Sequence, residues 1–182
     1  MPYIYKVDRK KFAEALELIE NLKISAVHMR KIFTYLAATK LKAVDELTEE
    51  RLEKDIGEAA LAPILSIKEL AMNSGDLNYF FTSVMVIYIK QNLKKYNVLE
   101  TLAGVLAEAK DQVLKYNQMS TFTELSEDEK EELRLVVKGL FSCCSDELYR
   151  VITGPYEDEK MADPKNGPVV DDVAALGKSK SY

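Results

Sequence analysis

The chain has one histidine, His28, and two cysteines, Cys143 and Cys144, which are neighbours. A single histidine rules out multi-histidine metal sites, and any Ser-His or Cys-His catalyst would have to use this residue. Its position argues against that. Counted from Ser25, it falls in the first turn of a helix, where the dipole disfavours imidazolium, and it flanks an apolar stripe through Ile32. We therefore expect a structural or solvated histidine. Adjacent cysteines close no loop, and a bridge between them would be strained. Metal sites usually separate paired cysteines and draw on further ligands, which this sequence does not supply. The expectation is a reduced pair, one member facing the core as a small hydrophobe.

Tryptophan is missing too. The sequence contains no glycine-rich phosphate loop, no strand-turn nucleophile elbow and no zinc-protease helix motif, and Gly139 and Gly154 stand alone. The charge-free stretch through Tyr79 to Ile89, closed by Asp76 on one side and Lys90 on the other, falls well short of the roughly 18 to 20 apolar residues needed to span a bilayer. Residues Met1 to Asp8 lack the long apolar core and cleavage site of a secretory signal. These features lead us to expect no membrane partner and a cytoplasmic location, as a phage or virus-encoded protein of that compartment would also show.

Basic residues are outnumbered: the net charge is −5 and the pI about 5.1. That balance works against nonspecific nucleic-acid binding, which needs Lys and Arg to neutralise phosphates. Arg9-Lys10-Lys11 and the lysines at 90, 94 and 95 remain as sparse patches with no base-stacking aromatics tied to them. A nucleoprotein subunit is the runner-up reading.

Helical punctuation, by contrast, is abundant. The pattern predicts an all-α, single-domain bundle of about six to seven helices over residues 1–153, followed by a flexible Pro- and Gly-punctuated tail over 154–182. A body of that length can bury close to 70% of its unfolded surface around one core. Asp8 is placed to cap a first helix with Phe12, Leu16, Ile19 and Leu22 on one side, ending near Lys23. Ser25 caps a second, with Met29, Ile32, Phe33 and Leu36 as its stripe. Thr48 is the expected cap of a third, with Leu47 stapled onto Leu52. Pro63 interrupts the next segment and opens a fourth helix through Ile64, Leu65, Ile67, Leu70 and Met72, which Asn73-Ser74-Gly75 ends.

The centre of the core is expected from Asp76 to Gln118. Tyr79 to Ile89 has no charge to place on a solvated face, so it should be buried on nearly all sides. A strand is its rival reading, but the helix formers after it favour helix. Asn97 with Glu100 forms a capping-box pattern, with Leu99, Leu102, Ala103, Leu106, Lys110, Val113 and Leu114 as the stripe and a stop at Tyr116-Asn117. Ser126 with Glu129 forms a second box. It opens a helix whose shared face is Leu133, Val136, Val137, Leu140 and Cys144 and which runs to Ile152 before Gly154-Pro155.

No catalytic constellation, cofactor site or metal site is expected. The sharpest electrostatic feature is the start of the last helix, where Glu127 repels Glu131 and Asp128 repels Glu132. Each such pair costs roughly 0.2–0.5 kcal/mol, offset in part by the helix dipole. In the tail, Val169, Val170, Val173 and Leu176 form a short apolar knot with the shape of a docking peptide. These eight residues are the candidate partner-binding set. The leading expectation is a noncatalytic protein-interaction or assembly factor whose partner is another protein or its own copies. An enzyme working through carboxylates alone is the weakest reading.

Overall fold

Helical residues dominate, and side-chain caps at Ser25, Asp45, Asn73 and Ser126 start four of the longer helices. A computed structural model of the chain describes residues 9–94, 97–119 and 125–153, and among them there is no strand. The order is a 3-10 turn (Lys10–Phe12), α1 (Ala13–Leu22), α2 (Ala26–Lys40), α3 (Glu46–Ile56), α4 (Glu58–Leu61), a 3-10 turn (Ala62–Ile64), α5 (Leu65–Lys68), α6 (Ser74–Gln91), α7 (Val98–Met119), α8 (Glu127–Glu147) and a π-helical turn (Leu148–Thr153). The fold is an all-α multi-helix bundle. The chain divides into two units, Met1–Ser145 and Asp146–Tyr182. The tail with its apolar knot, Asp8 and the tail boundary at 154 lie outside the described residues.

α2 is the hub of the first unit. Its residues from Ile32 to Ala38 are all buried, and it packs against α7, α3 and α6. This corrects the expected pairing of α6 with α7 as the centre: α7 lies mainly along α2 and touches α6 much less. Around the hub the phenylalanines form a connected spine. Phe12 meets Phe80 at 5.7 Å, Phe80 meets Phe81 at 6.5 Å, and Phe81 stacks on Phe33 at 4.1 Å and reaches Phe141 at 6.0 Å. Such contacts add about 0.5–1.5 kcal/mol each beyond the area they bury.

The charge-free run is helix, not strand, as the flanking residues indicate. It is less enclosed than expected: Phe80, Phe81, Val84, Met85 and Tyr88 are buried, whereas Tyr79, Val86, Ile87 and Ile89 are half-buried. Its start also lies earlier. Asn73 is the cap, in a box where Asp76 N–H donates to Asn73 Oδ1 at 2.8 Å and Asn73 N–H donates to Asp76 Oδ2 at 3.0 Å. Ser74 and Gly75 therefore belong to the first turn and do not break the chain. Lys11 completes the corner with an ion pair to Asp76 at 2.9 Å.

Other boundaries match or revise the sequence signals. Ser25 caps α2, accepting from His28 N–H at 3.2 Å. α3 is capped by Asp45 and not Thr48, whose backbone N–H donates to Asp45 at 2.8 Å; Leu47 is 58% exposed and staples nothing. Gly57, with φ +83°, ends α3 in the left-handed region, a break not anticipated from the sequence. The expected helix after Pro63 is only the short α5, and Leu65 faces solvent. Asn97, expected as a cap, adopts φ +71°, in the left-handed region that asparagine tolerates. α7 continues past Tyr116-Asn117 to Met119, because Asn117 is buried and its side chain donates to Lys130 O at 3.4 Å. Its core face is Leu102, Val105, Leu106, Ala109 and Val113, so Ala103 is exposed where burial was expected.

Candidate protein-interaction surface

The reciprocal box at Ser126 sets the phase of α8. Ser126 N–H donates to Glu129 Oε2 at 2.7 Å and Glu129 N–H donates to Ser126 Oγ at 3.2 Å. From that start, Val137, Leu140, Phe141 and Cys144 turn inward and are buried, leaving Cys143 half-buried beside its neighbour. At 3.6 residues per turn the opposite side of the cylinder must then carry Asp128, Glu132, Leu135, Gly139 and Ser142, and all five are exposed. Val136, expected in the core stripe, sits off phase at 44% exposure beside Leu135 at 60%. Sequence reasoning missed Leu135, although counting the outer phase of the same helix would have found it.

Of the five acids from Glu127 to Glu132, Glu129 closes the capping box and the other four divide into two kinds. Glu127 pairs with Lys130 at 3.4 Å and Glu131 with Arg134 at 3.7 Å. Asp128 and Glu132 have no ion-pair partner among the described residues, and they stand one turn apart on the outer stripe. The stripe therefore begins with two uncompensated carboxylates and becomes apolar at Leu135, with Val136 exposed at its side. Next comes Gly139, where an added Cβ would meet nothing within 4 Å. Val169, Val170, Val173 and Leu176 lie outside the described residues.

Elsewhere the polar groups mostly serve the fold. Arg9 stacks over the Tyr79 ring at 5.2 Å and Lys11 holds Asp76, so two members of the basic cluster turn inward. His28 is exposed, with its Nδ1 3.0 Å from Ser25 Oγ. Tyr35 is almost fully buried. Burial, then the negative charges of Glu53, Glu49 and Glu69, push its hydroxyl well above the usual tyrosine range. Lys68 Nζ donates to Glu53 at 2.7 Å, and that bond holds its ammonium above the ordinary lysine value. A groove of about 450 Å³ between α2, α3 and α7 is lined by both signs of charge, with Arg30 on Glu108 at 3.2 Å and Lys31 on Asp55 at 3.5 Å. Its charges largely satisfy one another and place no nucleophile beside a base. Among the described residues no group of His, Cys, Asp or Glu could hold a metal ion, and no helix is long and apolar enough to cross a membrane.

The family described as a domain of unknown function, DUF6899, matches residues 1–132. The chain belongs to DUF6899. No curated protein and no solved structure matches it. The DUF6899 match ends within α8, so Asp128 and Glu132 fall inside it, while Leu135, Val136 and Gly139 lie beyond it.

Proposed function

We propose that this DUF6899 protein is a noncatalytic protein-interaction or assembly factor and that the outer face of α8 is its docking surface. The observation that carries the reading is Leu135, exposed on the side of α8 opposite the core and preceded by the uncompensated Asp128 and Glu132, with Val136 exposed on its flank. Surface apolar residues are ordinary when scattered; a contiguous apolar step with a charged border is what partner helices bind. The apolar knot from Val169 to Leu176 is a second docking element of the proposal on sequence grounds, and the adjacent free cysteines favour the cytoplasm. Contact with nucleic acid is the weaker reading, since Arg9 and Lys11 are engaged within the fold.

The test is affinity capture from the source cells with wild-type protein and with Leu135→Asp/Val136→Asp. The variant keeps the wild-type melting temperature and loses the captured partner. Equal recovery by both proteins removes α8 as the docking surface.

A further inference from the structure

A second apolar surface lies at one end of the bundle and has the opposite electrostatic character. Gln91 Nε2 donates to Glu20 O at 2.6 Å, which brings the end of α6 against the end of α1. Beside that contact a cavity of about 500 Å³ is lined by Lys23, Ile24, Ser25, Ala26, Val27, Tyr88, Gln91 and Asn92, a lining with one cation and no anion. Leu22, Val27 and Leu93 stand 49%, 54% and 75% exposed in or next to it, and the exposed Lys90 and Lys94 flank Gln91 and Asn92 in the chain. Gln91 Oε1 is shielded from solvent and has no hydrogen-bond partner.

The two surfaces complement each other. The α8 face carries carboxylates and exposed apolar side chains, while the second surface combines Lys23 in the cavity lining and the exposed Lys90 and Lys94 close by in the chain with exposed Leu22, Val27 and Leu93. We propose that the outer face of α8 in one copy docks on this surface of a second copy. The proposal rests on the reading of α8 as an interaction face and names its partner. Leu135 and Val136 supply the apolar contact, Gly139 lets the second backbone approach closely, and Asp128 and Glu132 meet Lys23, Lys90 and Lys94. Because the two halves are different surfaces, the contact is head-to-tail. Each docked pair retains one unused half at either end, so growth continues unless a ring closes.

Sedimentation velocity of the full chain from about 1 µM to about 500 µM tests this. At low salt the wild-type mass rises with concentration, and raising the salt from about 50 mM to about 500 mM weakens the association at least about tenfold. Leu135→Asp/Val136→Asp removes one half of the contact and Lys90→Glu/Lys94→Glu reverses charge at the other. Each variant alone stays monomeric, and circular dichroism melts show both folded. Mixed in equal amounts they form a dimer and nothing larger, since one copy keeps its cavity and the other its α8 face. A wild-type protein that stays monomeric throughout overturns the proposal, as does a mixture that fails to pair or a cavity variant that still dimerises. If the wild type is monomeric while Leu135→Asp/Val136→Asp loses a captured partner, the self-docking falls and the interaction role of α8 stands.

Discussion

In α6, Val84 is wholly buried, one turn after Phe80 and one turn before Tyr88, which are themselves buried. In α8, Val136 is 44% exposed, beside an even more exposed Leu135. The residue type is the same and the secondary structure is the same. The difference lies in the remainder of each helix. α6 has so few polar residues between Tyr79 and Ile89 that Tyr79, Val86, Ile87 and Ile89 share its half-covered positions with Thr82 and Ser83 alone. α8 has a complete core face without Val136, so its extra apolar residues are surplus to folding. Apolar content in one helix therefore reads as stability, and in the other, under the proposed role of α8, as affinity.

The largest test of that contrast is Val84→Asp. A charge placed there has no partner, and it costs several kcal/mol against a total stability of about 5–15 kcal/mol. The variant is expected to be molten or insoluble, whereas Val136→Asp melts within about 0.5 kcal/mol of wild type. Thermal unfolding measured by circular dichroism compares them. Equal melting temperatures for the two would abolish the distinction. Ile87→Asp, on the half-buried side of α6, should fall between.

Asp76→Ala comes next. It removes one arm of the α6 capping box and leaves Lys11 without its counter-ion. A loss of about 2–4 kcal/mol is expected in denaturant unfolding. A loss below about 0.5 kcal/mol would mean that the corner is not the start signal of α6.

Tyr35 gives the stability a pH dependence. Its hydroxyl is raised in the folded state, so the protonated form is the one folding favours. The associated stability is fully present below the ordinary tyrosine value of about 10 and is lost as the pH rises above it. Urea midpoints between about pH 9 and about pH 11 should fall more steeply for wild type than for Tyr35→Phe. Parallel curves would show that the hydroxyl does not couple to folding.

The smallest expected effect sharpens the comparison from the other side. Gly139 sits inside α8 with open space where a Cβ would be. Gly139→Ala should raise stability by about 0.5–1 kcal/mol, because helix interiors disfavour glycine. A destabilised variant, measured by denaturant titration, would mean that something in the chain already crowds that position.

Much of this architecture is readable in the sequence wherever the signal is carried by residues three or four apart. The Ser126–Glu129 box and the Ser25 cap are of that kind, and so is the inward face of Val137, Leu140 and Cys144. Errors arise where two local signals compete or where the decision is tertiary. Asp45 and Thr48 are both good caps three residues apart, and only the packed helix selects between them. Asn117 looks like a stop because asparagine often is one, but burial and a bond to Lys130 carry α7 through it. Charge-free runs are conspicuous and draw the expected centre of the fold to α6 and α7, whereas α2 holds its central place with a mixed sequence that includes Thr34 and Tyr35. For the interaction site, the acids are legible as a cluster. Which of them lack partners depends on where Lys130 and Arg134 point, and no spacing rule states that.

Lys40 has a consequence for how the chain folds. Its ammonium donates to the carbonyl of Lys68 and, at 2.7 Å, to that of Leu70, closing off the end of the broken stretch that runs from Gly57 through α4, Pro63 and α5. Helices of four residues do not persist alone, because nucleation outweighs the few bonds they form. This stretch must therefore wait for α2 to present its last turn, and its order is borrowed from a residue nearly thirty positions earlier. Amide hydrogens from Glu58 to Leu70 should exchange with solvent sooner than those of α2, and Lys40→Met should speed their exchange while leaving the slowest amides of α2 largely unchanged. The region would then open as its own cooperative unit, ahead of global unfolding.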